Sequence, residues 1–310
     1  MHHRPKVTIV GSGMVGHTAA GWLAADAAAD LVLVDIIEKM PAGKALDLQQ
    51  AAPIRGIDVH VVGSNGYEDT SNSDVVVIIA GIARKPGMTR EQLLDTNTAI
   101  VKGVVEQVVK YSPQATLMVV TNPLDAMTYL TLKVSGFPRH RVIGESGALD
   151  STRFRTFIAM ELGVSVEDVQ AMVIGAHTDK DMVPLPRFAA VGSVPLAHLL
   201  QPDRVEELVA RTRRGGAEIT ELMGQSAFFA PGAAIAQMVK AIVRDQKRLL
   251  PCCVHLDGEY GERDVTIGVP IVLGAAGVER IIELPLNERE RSAFTASVRA
   301  VREQLAALKL

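Results

Sequence analysis

The 310-residue chain holds two cysteines, Cys252 and Cys253, and they are adjacent. Sequence neighbours do not readily meet disulfide geometry, and no further cysteines form a framework around them, so a disulfide-stapled scaffold is excluded. Both thiols sit in an apolar stretch and read as core residues. Long hydrophobic runs are lacking too: the longest, residues 75–83, falls far short of the ~20 residues that span a bilayer. Charge of one sign is also missing, with 32 Lys and Arg against 35 Asp and Glu, a net −3. That balance offers no handle to nucleic acid or an anionic membrane. No internal repeat, low-complexity tract or Ser/Gly linker is present. Only MHHRPK precedes the first apolar run, which leaves no room for a signal peptide, and a reducing cytoplasm is the expected compartment. What is there is ordinary for a soluble globular protein, 48% hydrophobic and 22% charged, with a length that suits one large or two medium domains.

The first half of the chain alternates. Apolar runs of β type occur at residues 7–10, 31–34, 59–62, 75–80 and 116–120, with helix-period segments such as 14–25, 38–50 and 91–110 between several of them. Strands that are apolar throughout, alternating with helices, predict a parallel sheet covered on both faces by right-handed crossovers. Beyond about residue 150 the pattern changes. Helical stretches at 151–162, 204–223, 230–248 and 288–308 mix with strands at 169–174, 252–256 and 265–273. The expected architecture is α/β: an N-terminal doubly wound parallel sheet of Rossmann type, residues 1–147, carrying a C-terminal α+β domain, residues 148–310.

Within the first strand–helix junction the sequence reads GSGMVG, residues 11–16, and the second strand ends in Asp35, nineteen residues after Gly16. Glycine turns of this spacing are common by chance; the strand before, the helix after and the acid at the end of the next strand make this one a dinucleotide fingerprint. Gly11 makes the turn, Gly13 lets a pyrophosphate approach the backbone, and Gly16 lets helix and strand pack closely. The helix N-terminus offers free N–H groups and positive partial charge to the phosphates. Asp35 would accept from the adenosine ribose hydroxyls and repel a 2′-phosphate, which favours NAD over NADP.

Other segments carry charge to the same edge of the sheet. GIARKPGMTRE places Arg84, Lys85 and Arg90 in a loop after an apolar strand, where ligands of open α/β sheets bind, although its composition also fits a solvated basic turn. VVTNPLD sets Asn122 at the end of a strand, where it serves equally as a helix cap. GALDSTRFR spaces Asp150 and Arg153 three apart on a helix, so both can point into one cleft or simply pair with each other. VIGAHTDKDMVP puts His177 just beyond a strand in polar company, a candidate general base.

Taken in order, GSGMVG with Asp35, PAGKALDLQQAAP, RKPGMTR, TNPLDAMTYL, GALDSTRFR, the His177 segment, SAFFAPGAA and GVPIVLGAAGVERIIELPL resemble the lactate/malate dehydrogenase family over nearly the whole length, in its malate dehydrogenases of the lactate dehydrogenase-like type. The resemblance implies reversible NAD-dependent oxidation of (S)-malate to oxaloacetate, no metal, and a homodimer or homotetramer. It implies His177 as proton acceptor with Asp150 as its carboxylate partner. Arg153 would clamp the C1 carboxylate and Arg84 the distal one, while Arg90 would polarise the reacting oxygen. Around the cofactor it implies Gly11, Ser12, Gly13, Met14, Val15, Gly16, Asp35, Asn97, Val120 and Asn122, with Asn122 shared with the substrate.

One departure stands out. The family usually reads H-G-D-x-M-V-P after the histidine, whereas this chain reads HTDKDMVP, with Thr178 for Gly and one extra residue before Met182. The insertion is expected to bulge outward after His177, and Asp179 and Asp181 compete for the place of the family aspartate. Three other readings make different demands on the sequence. A lactate dehydrogenase would carry glutamine at position 84, an NAD-dependent glycosidase would need a Cys/His metal pair that the late, adjacent cysteines do not supply, and a non-catalytic NAD-binding regulator would be expected to lack the His/Asp/Arg set.

Overall fold

A computed structural model describes residues 4–83 and 87–309. Its first half runs β1 (Lys6–Val10), α1 (Met14–Ala25), β2 (Asp30–Val34), α2 (Met40–Arg55), β3 (Val61–Ser64), β4 (Val75–Ile78), α3 (Arg90–Tyr111), β5 (Thr116–Val119), α4 (Leu124–Ser135) and β6 (Val142–Gly144). These strands are parallel in the order β3-β2-β1-β4-β5-β6. Their continuous apolar runs have a direct cause, because successive side chains enter different cores. Val7, Ile9, Leu31, Leu33, Val75 and Val77 pack with α1 and α2, whereas Val10, Val32, Val34, Val76 and Ile78 pack with α3 and α4. Each such side chain, fully buried, contributes ~1.5–3 kcal/mol.

The second half runs α5 (Gly147–Leu162), β7 (Val169–Gln170), β8 (Val173–Gly175), β9 (Met182–Pro184), β10 (Ala190–Val191), β11 (Val194–Pro195), α6 (Pro202–Met223), α7 (Phe229–Val243), β12 (Arg248–Asp257), β13 (Arg263–Gly274), β14 (Gly277–Ile281) and α8 (Glu288–Ala306). The β12–β13 hairpin pairs through β12 with β6, so the large sheet continues as β6-β12-β13-β8-β9 with antiparallel pairings. Cys252 and Cys253, in the middle of β12, are fully buried, as expected of core thiols. α7 packs on α1, which ties the second half to the glycine turn.

Several sequence expectations shift. The apolar run 169–174 is two strands in different sheets: β7 pairs with β10, and β8 joins the large sheet. The break falls at Ala171 and Met172, where the Met172 carbonyl accepts from the Leu185 N–H and the Ser151 hydroxyl from the Val173 N–H. The helix expected to reach Arg248 stops at Val243. Asp245 (φ 47°) and Lys247 (φ 52°) turn the backbone left-handed, and Arg248 already belongs to β12. The helix expected over 38–50 starts at Met40 after a left-handed Lys39 and runs on to Arg55, where Gly56 (φ 63°) ends it.

The glycine turn is closely packed. A methyl at Gly16 would sit 2.1 Å from the Gly11 carbonyl oxygen, a backbone atom that cannot swing aside, while at Gly13 nothing lies within 4 Å. Gly16→Ala is expected to lower Tm by roughly 2–10 °C, since overpacking costs ~1–3 kcal/mol, and Gly13→Ala to leave it nearly unchanged. Thermal unfolding of the three proteins followed by circular dichroism checks this; a Gly16→Ala protein that melts with the parent would contradict it.

Candidate active site

The carboxyl ends of β1, β2 and β4 open into a cleft of about 720 Å³ lined by Gly13, Met14, Val15, Asp35, Ile37 and Tyr67 among others. Gly11 sits at φ 99° and gives its N–H to the Val34 carbonyl at 2.8 Å; a side chain there would strike the Ala80 nitrogen at 2.6 Å. Gly13 is exposed at the start of α1, a helix whose first turn has no side-chain cap. Free N–H groups beside a space that only a residue-13 side chain would fill suit an anionic group, and the residues present therefore fit the phosphates of a dinucleotide. Asp35 accepts from the Ser12 N–H at 2.9 Å and the Ile37 N–H at 3.1 Å.

The other residues expected around a cofactor take varied places. Ser12 is fully buried, its side chain turned inward. Val120 is half-buried and gives its N–H to the Ile78 carbonyl at 2.8 Å. Asn122 is exposed in the loop after β5, and its bond to Pro123 is cis. Asn97, by contrast, is fully buried with its amide spent on backbone: Oδ1 accepts from Ile82 N–H at 2.8 Å, and Nδ2 donates to the carbonyls of Ile82 at 3.1 Å and Asn122 at 2.7 Å. It meets the cleft through the two loops that it ties together.

His177, Asp150 and Arg153 come together. Asp150, in the first turn of α5 and 2% exposed, takes Nδ1 of His177 on one oxygen at 2.8 Å and Nη1 of Arg153 on the other at 2.7 Å. Burial pulls the His177 imidazole down, but the Asp150 carboxylate, by charge and hydrogen bond, and Glu145 outweigh it and push it up to about 9. The extra residue in the loop is absorbed as a turn in which the Thr178 carbonyl accepts from Met182 N–H at 3.0 Å. Asp179 and Lys180 are exposed, and Asp181 accepts from the Thr178 hydroxyl at 2.7 Å. Arg84 and Lys85 lie outside the described residues; Arg90 opens α3 behind the Thr89 cap, and only its backbone is described.

Sequence reasoning passed over four features. Asp125, in the TNPLD segment, is buried and accepts the His177 N–H at 2.9 Å, and burial pushes its carboxyl up to about 6. Glu145, at the end of β6, is buried with one carboxylate oxygen unpartnered, and burial pushes it up to about 7. The Ser297 hydroxyl on α8 accepts the Ala176 N–H at 2.7 Å, fixing the backbone just before His177. On α6, Gly215 and Gly216 make room for Arg153: a methyl at Gly215 would lie 2.9 Å from Arg153 Cδ, and one at Gly216 would lie 3.4 Å from Nη2. The signal for the last was legible, since two glycines inside a helix cost ~1 kcal/mol each and call for a reason. The two acids were legible as charges, Glu145 just after an apolar strand and Asp125 at the start of α4, but their burial depends on the partner segments.

Comparison with known proteins agrees with this geometry. Residues 5–144 match the NAD binding domain of lactate/malate dehydrogenase, and residues 147–309 match its alpha/beta C-terminal domain. The malate dehydrogenase of Desulforudis audaxviator (strain MP104C) is 54% identical over 308 residues, 99% of each chain. Among solved structures, malate dehydrogenase from Salinibacter ruber superposes with a TM-score of 0.93 at 50% identity over 97% of each chain. The lactate dehydrogenase from Cryptosporidium parvum complexed with lactic acid and nicotinamide adenine dinucleotide reaches 0.95 at 40% identity, over 99% of this chain and 98% of that one. With both halves matched and half of the residues identical to such relatives, the chain belongs to the lactate/malate dehydrogenase family.

Proposed function

We propose that the chain catalyses the reversible oxidation of (S)-malate to oxaloacetate with NAD. The observation that carries this reading is the single buried carboxylate of Asp150 holding both His177 and Arg153. When bound, NAD supplies the hydride acceptor. His177, with its Nδ1–H given to Asp150, presents Nε2 as the base for the substrate hydroxyl proton, and Asp150 stabilises the imidazolium that forms. Arg153 offers a planar fork to the C1 carboxylate, its plane set by the bond to Asp150. Asp35 accepts from the ribose hydroxyls and disfavours a 2′-phosphate, while the N–H groups at the start of α1 receive the pyrophosphate. Gly11, Ser12, Gly13, Met14, Val15 and Gly16 form that cradle, and Asn97, Val120 and Asn122 shape the far side of the cofactor site.

Substrate choice is assigned to the basic loop. Arg84 pairs with the distal carboxylate and Arg90 polarises the reacting oxygen; both roles rest on the matching RKPGMTR segment. In this reading residues 1–147 bind the cofactor and residues 148–310 carry the base and the C1 clamp, with Arg84 and Arg90 reaching the substrate from the first of the two. A homodimer or homotetramer belongs to the same reading, and exposed apolar side chains on helices, among them Ile54 on α2 and Leu222 on α6, allow either. Cytoplasmic residence is the compartment this chemistry suits; no helix among the described residues is long and apolar enough to cross a membrane.

His177→Asn should lower turnover by ~10²–10⁴ while NADH binding stays nearly intact. Because the imidazole is raised to about 9, it is charged at neutral pH. Oxaloacetate reduction, which needs the imidazolium, should have a flat kcat/KM below pH ~9 that falls above it, whereas malate oxidation, which needs the neutral ring, should rise toward that pH. The same shift adds stability that is fully present below the unfolded value of ~6.5 and is lost as pH rises through the folded one. A His177→Asn enzyme of normal rate would move the base elsewhere.

The substrate test concerns Arg84. Oxaloacetate should be preferred to pyruvate by ~10²–10⁴ in kcat/KM, because a site built to pair a second carboxylate rejects the analogue that lacks it. Arg84→Gln should raise pyruvate activity and lower oxaloacetate activity, incompletely, since Lys85 and Arg90 remain. An unchanged ratio would remove Arg84 as the selector.

A further inference from the structure

The glycine turn is held by a residue that its own motif does not contain. Ser12 gives its N–H to Asp35 at 2.9 Å, and its carbonyl accepts from the Nζ of Lys44, which also reaches the Gly13 carbonyl at 3.4 Å. Lys44 stands half-buried on α2, the helix after β2, and enters the turn from a different element. Residue 12 is therefore gripped at both ends, by a carboxylate at the end of β2 and an ammonium on α2.

Peptide planarity gives this grip a consequence. In a trans peptide the C=O of one residue and the N–H of the next point in opposite directions. With the Ser12 carbonyl drawn to Lys44, the N–H of Gly13 points away from it and Gly13 lines the cleft, whereas the Gly13 carbonyl is already held by the His17 N–H at 2.9 Å as the first bond of α1. Lys44 itself does not line that cleft.

We propose that Lys44 is a positioning residue of the dinucleotide loop: by holding the Ser12 carbonyl it aims the Gly13 N–H at the pyrophosphate. This rests on the reading of the cleft as the NAD site. It assigns Lys44 to the phosphates and not to the adenosine, whose ribose belongs to Asp35.

The test uses the full chain and titrates ADP and adenosine by calorimetry into the parent, Lys44→Met, Lys44→Gln and Lys44→Arg, with steady-state KM and kcat for NADH alongside. Lys44→Met is expected to weaken ADP about ten-fold, the loss of one charge-assisted hydrogen bond, while adenosine changes less than about two-fold. The loss should appear in KM for NADH and not in kcat. Lys44→Arg should bind ADP nearly as the parent does, and Lys44→Gln, a donor without charge, should recover part of the loss. A parent that binds neither ADP nor NADH overturns the cofactor reading and the proposal with it. A parent that binds, with Lys44→Met its equal, overturns the proposal alone. Equal losses for ADP and adenosine would mean general damage to the fold, and Lys44→Gln as weak as Lys44→Met would mean bulk charge; either result overturns it.

Discussion

Asp150 carries its carboxylate to a position 2% exposed, and nearly everything at the site follows from how that charge is compensated. A buried carboxylate is costly unless it is paired and hydrogen-bonded, and Asp150 has an Arg on one oxygen and a His on the other. It also lies in the first turn of α5, where the helix dipole favours negative charge. The helix reaches that place because it begins at Gly147, where a methyl would meet the Val173 carbonyl oxygen at 2.5 Å and the Pro251 ring at 2.7 Å. One carboxylate therefore sets the tautomer of the base and the plane of the clamp together, so the proton acceptor and the carboxylate fork share one frame.

The surroundings add charge to this frame. Asp125 holds the backbone of His177 and Glu145 adds negative potential to its ring, both from positions shielded from water. Each is pushed up by burial, to about 6 and about 7, so near neutral pH both sit close to changing charge. Removing Glu145 would weaken the hold on that imidazolium; removing Asp150 would abolish most of it and leave Arg153 without its partner.

Much of this was legible in the residues, and the limits have physical causes. Strands such as 7–10 and 75–78 announce themselves because both faces are buried, so no polar alternation is left to obscure them. The glycine turn and Asp35 were legible because a tight turn at a helix start admits few residues. The break between β7 and β8 was not, because an apolar run does not record which neighbour each half will pair with. The end of α7 was hidden for another reason: Asp245 and Lys247 take left-handed conformations with no glycine or proline to mark them. The inward turn of Asn97 depends on where two distant loops close. Asp150 and Arg153 were legible as a pair on one helix, and the family resemblance joined His177 to Asp150; that a single carboxylate serves both partners at once is a property of the folded chain.

The most direct measurement of this arrangement is the titration of the His177 ring by NMR in the intact chain and in Asp150→Asn. The native ring should titrate near 9, and the variant should fall toward or below the ordinary ~6.5, since burial then acts without the carboxylate to oppose it. The same midpoint in both proteins would contradict the central role of Asp150.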